Sequence, residues 1–193
     1  ELSHMGVEIR KTVLSSVLII IPNRIEDERG FFEETWNTDE LSKNGIDISF
    51  VQDNHSYSKD EGTLRGLHYQ APPFAQDKLV RCTRGAVFDV AVDVRKGSPT
   101  YGQSVGVELS RENGQQLFVP AGFLHGFITL LNDTEVQYKC SNYYSPQCDG
   151  SVHWSSCNIS WPIPKSIVPK LSDKDNNAQF FEKFDSPFIW EGQ

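Results

Sequence analysis

The sequence predicts an all-β protein: a barrel or sandwich of short strands with a few short peripheral helices. Three observations predict it. Runs rich in valine and aromatic residues recur at intervals of about 8–12 residues through the middle of the chain. Turn chemistry separates these runs, and no long stretch there sustains a helical period.

The strands follow in order. AVFDVAVDV (86–94) is rich in valine and punctuated by aspartates, bounded by Arg84-Gly85 and by KGSPTYG (96–102). QSVGVELS (103–110) comes next, then the turn RENG (111–114) and QQLFVP (115–120). GFITLL (126–131) and EVQYKCSNYY (135–144) flank the turn NDT (132–134). Short helices are expected toward the two ends. TDELSKNG (38–45) offers an N-cap, carboxylates in its first turn and a terminating glycine. LSDKDNNAQFFEKF (171–184) has Ser172 as a candidate cap with Asp175 three residues on.

A chain of 193 residues suits one large domain, and it contains no internal repeat or low-complexity linker. Met5 is the only methionine, so we expect residues 1–4 to be an expression-tag remnant and residues 5–193 a single domain. The net charge of −8 argues against binding a nucleic-acid backbone, although a few clustered arginines can still hold a small anion. GVEIRKTVLSSVLIIIP lacks the uninterrupted apolar length of a spanning helix and a small-residue cleavage site. Four cysteines without a C-x-x-C pair read as reduced thiols. The expectation is a cytoplasmic protein without a membrane segment.

His68, in GTLRGLHYQ (62–70), is open to three readings: a metal ligand, a proton-transfer group, or a satisfied core histidine. Its context narrows them. In GQQLFVPAGFLHGFITLLN (114–132), the order Gly114, Pro120, Gly122, His125 resembles the second motif of the cupin superfamily, and Gly62 with His68 occupies the first-motif position. Metal-binding cupins carry two histidines one residue apart there, followed by a glutamate. Here Gln70 takes the second histidine's place and APPFAQ (71–76) offers no glutamate. His68 and His125 leave at most two ligands where a divalent transition metal needs three or four, so no metal or other cofactor is expected.

The resemblance extends along the chain. ERGFFEETWN (28–37), FVQDNHS (50–56), LRGLHYQ (64–70), Lys78, VPAGFLHGF (119–127), QYKCSNYYSP (137–146), ISWP (159–162) and LSDKD (171–175) occur in order. Together they resemble the dTDP-4-dehydrorhamnose 3,5-epimerase family, cupin-type jelly rolls that act on nucleotide-linked sugars. The match covers roughly residues 8–185. It implies inversion of C3 and C5 of dTDP-4-dehydro-6-deoxy-D-glucose, without a metal.

Epimerisation beside a ketone needs a base on one face of the sugar, an acid on the other and a stabiliser for the enolate between them. The resemblance makes His68 the base, which suits a side chain that is largely neutral near pH 7. It pairs His68 with Asp175, makes Tyr138 the acid and sets Lys78 beside the C4 oxygen. His125 would complete the polar pocket. Arg29, Phe32, Glu34, Gln52, Asn54 and Arg65 would contribute to ligand binding, Arg65 as a planar donor to phosphate. Tyr144 would stack on the thymine, and Asp149 and Lys174 would flank the nucleotide. The N-terminal segment reaches a partner subunit in the family, which implies a homodimer.

Each residue taken alone has a plainer role: His68 in the core, Lys78 as an edge-strand charge, Tyr138 as one more barrel aromatic, Asp175 beside a helix N-terminus. Phe31 and Phe32 read equally well as core residues. Two departures bear on the sugar and nucleotide preference: Asp149 stands where the family commonly has glutamate, and WSSCNISWP (154–162) replaces a more acidic segment. The alternatives are a mono-epimerase on a related 4-keto sugar, a metal-dependent cupin, and a non-catalytic sugar-binding cupin.

Overall fold

The computed structural model describes residues 6–164 and 166–192; residues 1–4, the expected tag, lie outside them. In chain order the elements are β1 (Val7–Lys11), β2 (Leu18–Pro22), β3 (Arg24–Asp27), β4 (Gly30–Glu33), α1 (Thr38–Lys43), β5 (Gln52–Ser58), β6 (Leu64–Gln70), β7 (Lys78–Arg84) and β8 (Ala86–Asp93). After them come β9 (Arg95–Lys96), β10 (Ser104–Ser110), β11 (Gln116–Val119), β12 (Phe123–Thr129), β13 (Thr134–Cys140), β14 (Asp149–Ser151), α2 (Asp173–Asn176) and β15 (Phe188–Ile189). One antiparallel sheet runs β1-β2-β11-β7-β13-β5 and the other β10-β8-β12-β6-β14. This is the expected jelly-roll sandwich.

The main core lies between the sheets: Val80, Leu117, Val119 and Val136 of the first meet Val87, Ala91, Leu109 and Phe127 of the second. A second cluster covers the outside of the five-stranded sheet, where Val90, Val92 and Leu124 pack beneath Val152, Phe184 and Phe188 of the C-terminal segment. β8 and β12 are therefore buried on both faces, which is why AVFDVAVDV lacks a polar alternation. A third cluster seats Leu41 of α1 and Ile46 against Ile20, Leu79 and Phe118. Fully burying each such side chain contributes about 1.5–3 kcal/mol.

Several expected boundaries move, each for a local reason. β12 begins at Phe123, three residues before the expected GFITLL, because the corner at Gly122 already points Phe123 and His125 inward. β13 stops at Cys140 because Ser141 turns to Asp77, whose backbone N–H donates to the serine hydroxyl at 2.7 Å. α1 is capped by Asn37, one residue earlier than expected, whose side chain accepts from the Glu40 N–H. The single helix expected over 171–184 is instead one turn, α2, and a separate 3-10 turn at Phe181–Lys183. Between them the chain straightens to pair Gln179 with Val152 in a parallel bridge. Ser172 caps α2 as expected.

Candidate active site

The site forms where β6, β7, β12 and β13 open toward the segment that follows Lys170. His125 on β12 lies directly opposite His68 on β6 in the antiparallel register. The strands approach closely here. A side chain at Gly66, where φ is +129°, would meet the Gly126 Cα at 2.7 Å, so only glycine fits. Gly126 is equally constrained by the Arg65 carbonyl at 2.8 Å.

Asp175 reaches the site by backbone pairing. Lys170 bridges to Thr63, with the Lys170 N–H donating to Gly62 O and the Leu64 N–H donating to Lys170 O, both at 2.9 Å. The chain then enters α2, whose first turn sets Asp175 against His68, Nε2 to Oδ1 at 2.7 Å. Its other oxygen accepts the Gly66 backbone N–H at 3.1 Å. Burial raises the Asp175 carboxyl, but the His68 contact and the Gly66 and Ser172 hydrogen bonds outweigh it and hold the group below its ordinary value. An ionised Asp175 accepts the Nε2 proton, which leaves the Nδ1 lone pair of neutral His68 free for proton abstraction.

Across the cavity, Tyr138 on β13 is half-buried. Burial, aided by Cys140, raises its phenol above the ordinary value despite Asn54 and Arg65, so it keeps its proton. Lys78 Nζ lies 5.7 Å from the Tyr138 ring centroid. Burial lowers its ammonium while Cys140 and Asp89 oppose the shift. An ammonium made more acidic is a better donor to an enolate oxygen.

His125 is buried, and its Nε2 lies 2.7 Å from Asp89 Oδ1 on β8. Asp89 is fully buried, and its second oxygen and the Ser56 hydroxyl are the buried side-chain oxygens without a partner among the described residues. Ser56 lines the cavity and Asp89 lies behind His125. Sequence reasoning missed both. The signal for Asp89 was an aspartate inside a valine run, where a carboxylate must find a partner.

A cavity of about 490 Å³ brings together Arg65, His68, Lys78, His125, Tyr138, Lys174 and Asp175. A smaller cleft of about 220 Å³ shares His68, Lys78, Tyr138 and Lys174 and adds Gln52, Asn54, Tyr144 and Asp149. Lys174 donates to Asp149, joining α2 to β14. Arg29, Phe32 and Glu34 do not come to either cavity of their own chain. Arg29 pairs with Asp27 on the exposed β3–β4 hairpin, Phe32 is 60% exposed, and Glu34 accepts from Asn37. Among the described residues, no group of three or more His, Cys, Asp or Glu side chains is placed to hold a metal ion. Also among them, no helix is long and apolar enough to cross a membrane.

The family model for dTDP-4-dehydrorhamnose 3,5-epimerase matches residues 11–183. A Shigella flexneri protein of that name is 51% identical over 178 residues, spanning 91% of this chain and 96% of its own. The Bacillus anthracis enzyme solved with TDP and PPi bound is 44% identical at a TM-score of 0.87, covering 91% of this chain and 99% of its own. The Legionella pneumophila enzyme solved in complex with dTDP-4-keto-L-rhamnose is 44% identical at a TM-score of 0.88, covering 93% of this chain and 95% of its own.

Proposed function

The chain belongs to the dTDP-4-dehydrorhamnose 3,5-epimerase family and is an isomerase-class enzyme of dTDP-rhamnose biosynthesis, and from that premise we propose how its residues carry the reaction. Neutral His68 removes the proton from the carbon beside the C4 ketone, and Asp175 steadies the imidazolium that forms. Charge moves onto the C4 oxygen, where Lys78 donates to the enolate and His125 completes the polar wall of the pocket. Tyr138 returns a proton from the opposite face, which inverts the centre. His68 then releases its extra proton to solvent and Tyr138 regains one, and the cycle repeats at the second carbon, converting dTDP-4-dehydro-6-deoxy-D-glucose to dTDP-4-dehydro-L-rhamnose.

The observation that carries this reading is the His68–Asp175 pair lining one cavity with Tyr138 and Lys78. The nucleotide would lie along the smaller cleft, with Tyr144 stacking on the thymine, Gln52 and Asn54 beside it, Asp149 and Lys174 at its edge, and Arg65 on the diphosphate. Arg29, Phe32 and Glu34 would serve the site of a second copy, because the hairpin that carries the first two projects from its own chain and exposes them. A homodimer is therefore the proposed assembly. A cytoplasmic setting agrees with four free cysteines.

The test is incubation with the 4-keto nucleotide sugar in D2O, read by NMR. Deuterium at both C3 and C5 is expected. Label at one carbon alone would make the enzyme a mono-epimerase, and label at neither would overturn the mechanism.

A further inference from the structure

Gln70, which stands where a metal-binding cupin would carry a ligand, has a different engagement. Its side chain is buried, with the residue 5% exposed, and both of its N–H donors and its oxygen are engaged by backbone. The amide nitrogen donates to the Phe74 carbonyl at 2.5 Å and to the Tyr143 carbonyl at 3.0 Å. The amide oxygen accepts the Ser145 N–H at 3.0 Å. One planar group therefore grips the backbone on both sides of Tyr144, whose own N–H is taken by Gln52 Oε1 at 3.0 Å. The Tyr144 ring is left 58% exposed at the edge of the smaller cleft. Other ties join the same two loops, Gln76 to Asn142 and Asn142 to Ala75, but neither touches the residues flanking Tyr144.

We propose that Gln70 is a positioning residue for nucleotide recognition, fixing Tyr144 at a set height and angle to the strand that carries His68. This rests on the nucleotide-sugar reading of the cleft given above. His68 and Gln70 are two positions apart on β6, so the base that acts on the sugar and the clamp that sets the nucleobase platform share one rigid strand. A stacking ring has value only when its plane is held before the ligand arrives, since ordering it on binding costs affinity. Gln70 supplies that order from the floor of the cleft, where it is almost wholly buried.

The experiment compares dTDP affinity and steady-state kinetics for wild type, Gln70→Met, Gln70→Glu and Tyr144→Ala. Gln70→Met keeps the volume and removes every hydrogen bond. Gln70→Glu keeps the acceptor for Ser145 but turns a carboxylate toward two carbonyl oxygens. Both should weaken dTDP binding and raise KM about tenfold or more, with kcat at saturation within about threefold of wild type. If Gln70→Met does not fold, Gln70→Glu is read in its place. Unchanged dTDP affinity in a folded Gln70 variant, or a fall in kcat with KM unchanged, overturns the role. Tyr144→Ala separates the two levels. If it weakens dTDP binding while the Gln70 variants do not, only the positioning role fails; if it has no effect, the stacking reading fails with it.

Discussion

Two histidine–aspartate pairs stand on neighbouring strands of one sheet, each closed at 2.7 Å between Nε2 and a carboxylate oxygen. In the first, the His68 side chain is 34% exposed and Asp175 arrives on a one-turn helix with both oxygens engaged. In the second, His125 and Asp89 are both strand residues, the histidine side chain 7% exposed and the carboxylate fully enclosed with one oxygen unpartnered. The contact is the same, but its surroundings differ. The His68 imidazole stays partly open to the cavity while both oxygens of its partner are engaged. A pair shut away from water resists a change of charge, because neither state is hydrated. That difference fits the proposed division, with the first pair in proton transfer and the second as a fixed polar wall of the cavity.

That contrast can be tested by single substitutions, in descending order of lost turnover. His68→Ala should lower epimerisation by about 10³-fold or more while the melting temperature barely changes, as assayed by proton exchange in D2O. Exchange persisting near the wild-type rate would remove His68 as the base. Asp175→Asn, which keeps the shape but loses the anion, should cost about 10²-fold in kcat with little change in KM. A pure KM effect would place Asp175 in binding instead. Asp89→Asn should show the reverse balance, with turnover reduced about tenfold and stability lowered by about 3 kcal/mol in a urea titration. If it proved as stable as wild type, the enclosed pair would not be the structural member.

Asp93, four residues beyond Asp89 on the same strand, marks the purely structural limit. It accepts from Arg95 Nη2 at 2.9 Å and from the Ser98 and Thr100 hydroxyls at 2.6 Å. Burial alone would raise its carboxyl, yet these donors lower it from 3.8 to about 2. A depressed folded-state value stabilises at pH above the unfolded value and is lost as pH falls through the folded one. Asp93→Asn should therefore leave kcat unchanged and cost about 2 kcal/mol at pH 7. The deficit should shrink between pH 4 and pH 2, and a deficit independent of pH across that window would assign the loss to packing.

Most of the fold was legible because valine-rich runs and their turns obey local rules, from Ala86 through Cys140. β5 was not, since QDNHSYS has no apolar period; it is a strand because it pairs antiparallel with β13 from Gln52 to Ser58, which leaves Gln52 and Asn54 at the cleft. The break after α2 was hidden for a different reason: a bridge from Gln179 to Val152 overrides helical pattern, and only tertiary structure supplies it. Within the site, motif spacing located His68, Lys78, Tyr138 and Asp175, which fold to one place. It gave no hint that Asp89 closes on His125, because that contact runs between strands 36 positions apart. It marked Gln70 by the ligand it replaces, while the hydrogen bonds Gln70 makes lie in loops the sequence leaves unpaired.

The bridge at Thr63–Lys170 has a consequence for how the enzyme comes into being. Asp175 follows His68 by 107 positions, so on the ribosome nearly every barrel strand is made before it. The growing chain can gather its sheets as strands emerge, yet His68 lacks its carboxylate until residues 170–176 dock. A nascent chain stalled before residue 170 would hold most of the barrel strands without the His68–Asp175 pair on which the proposed base depends.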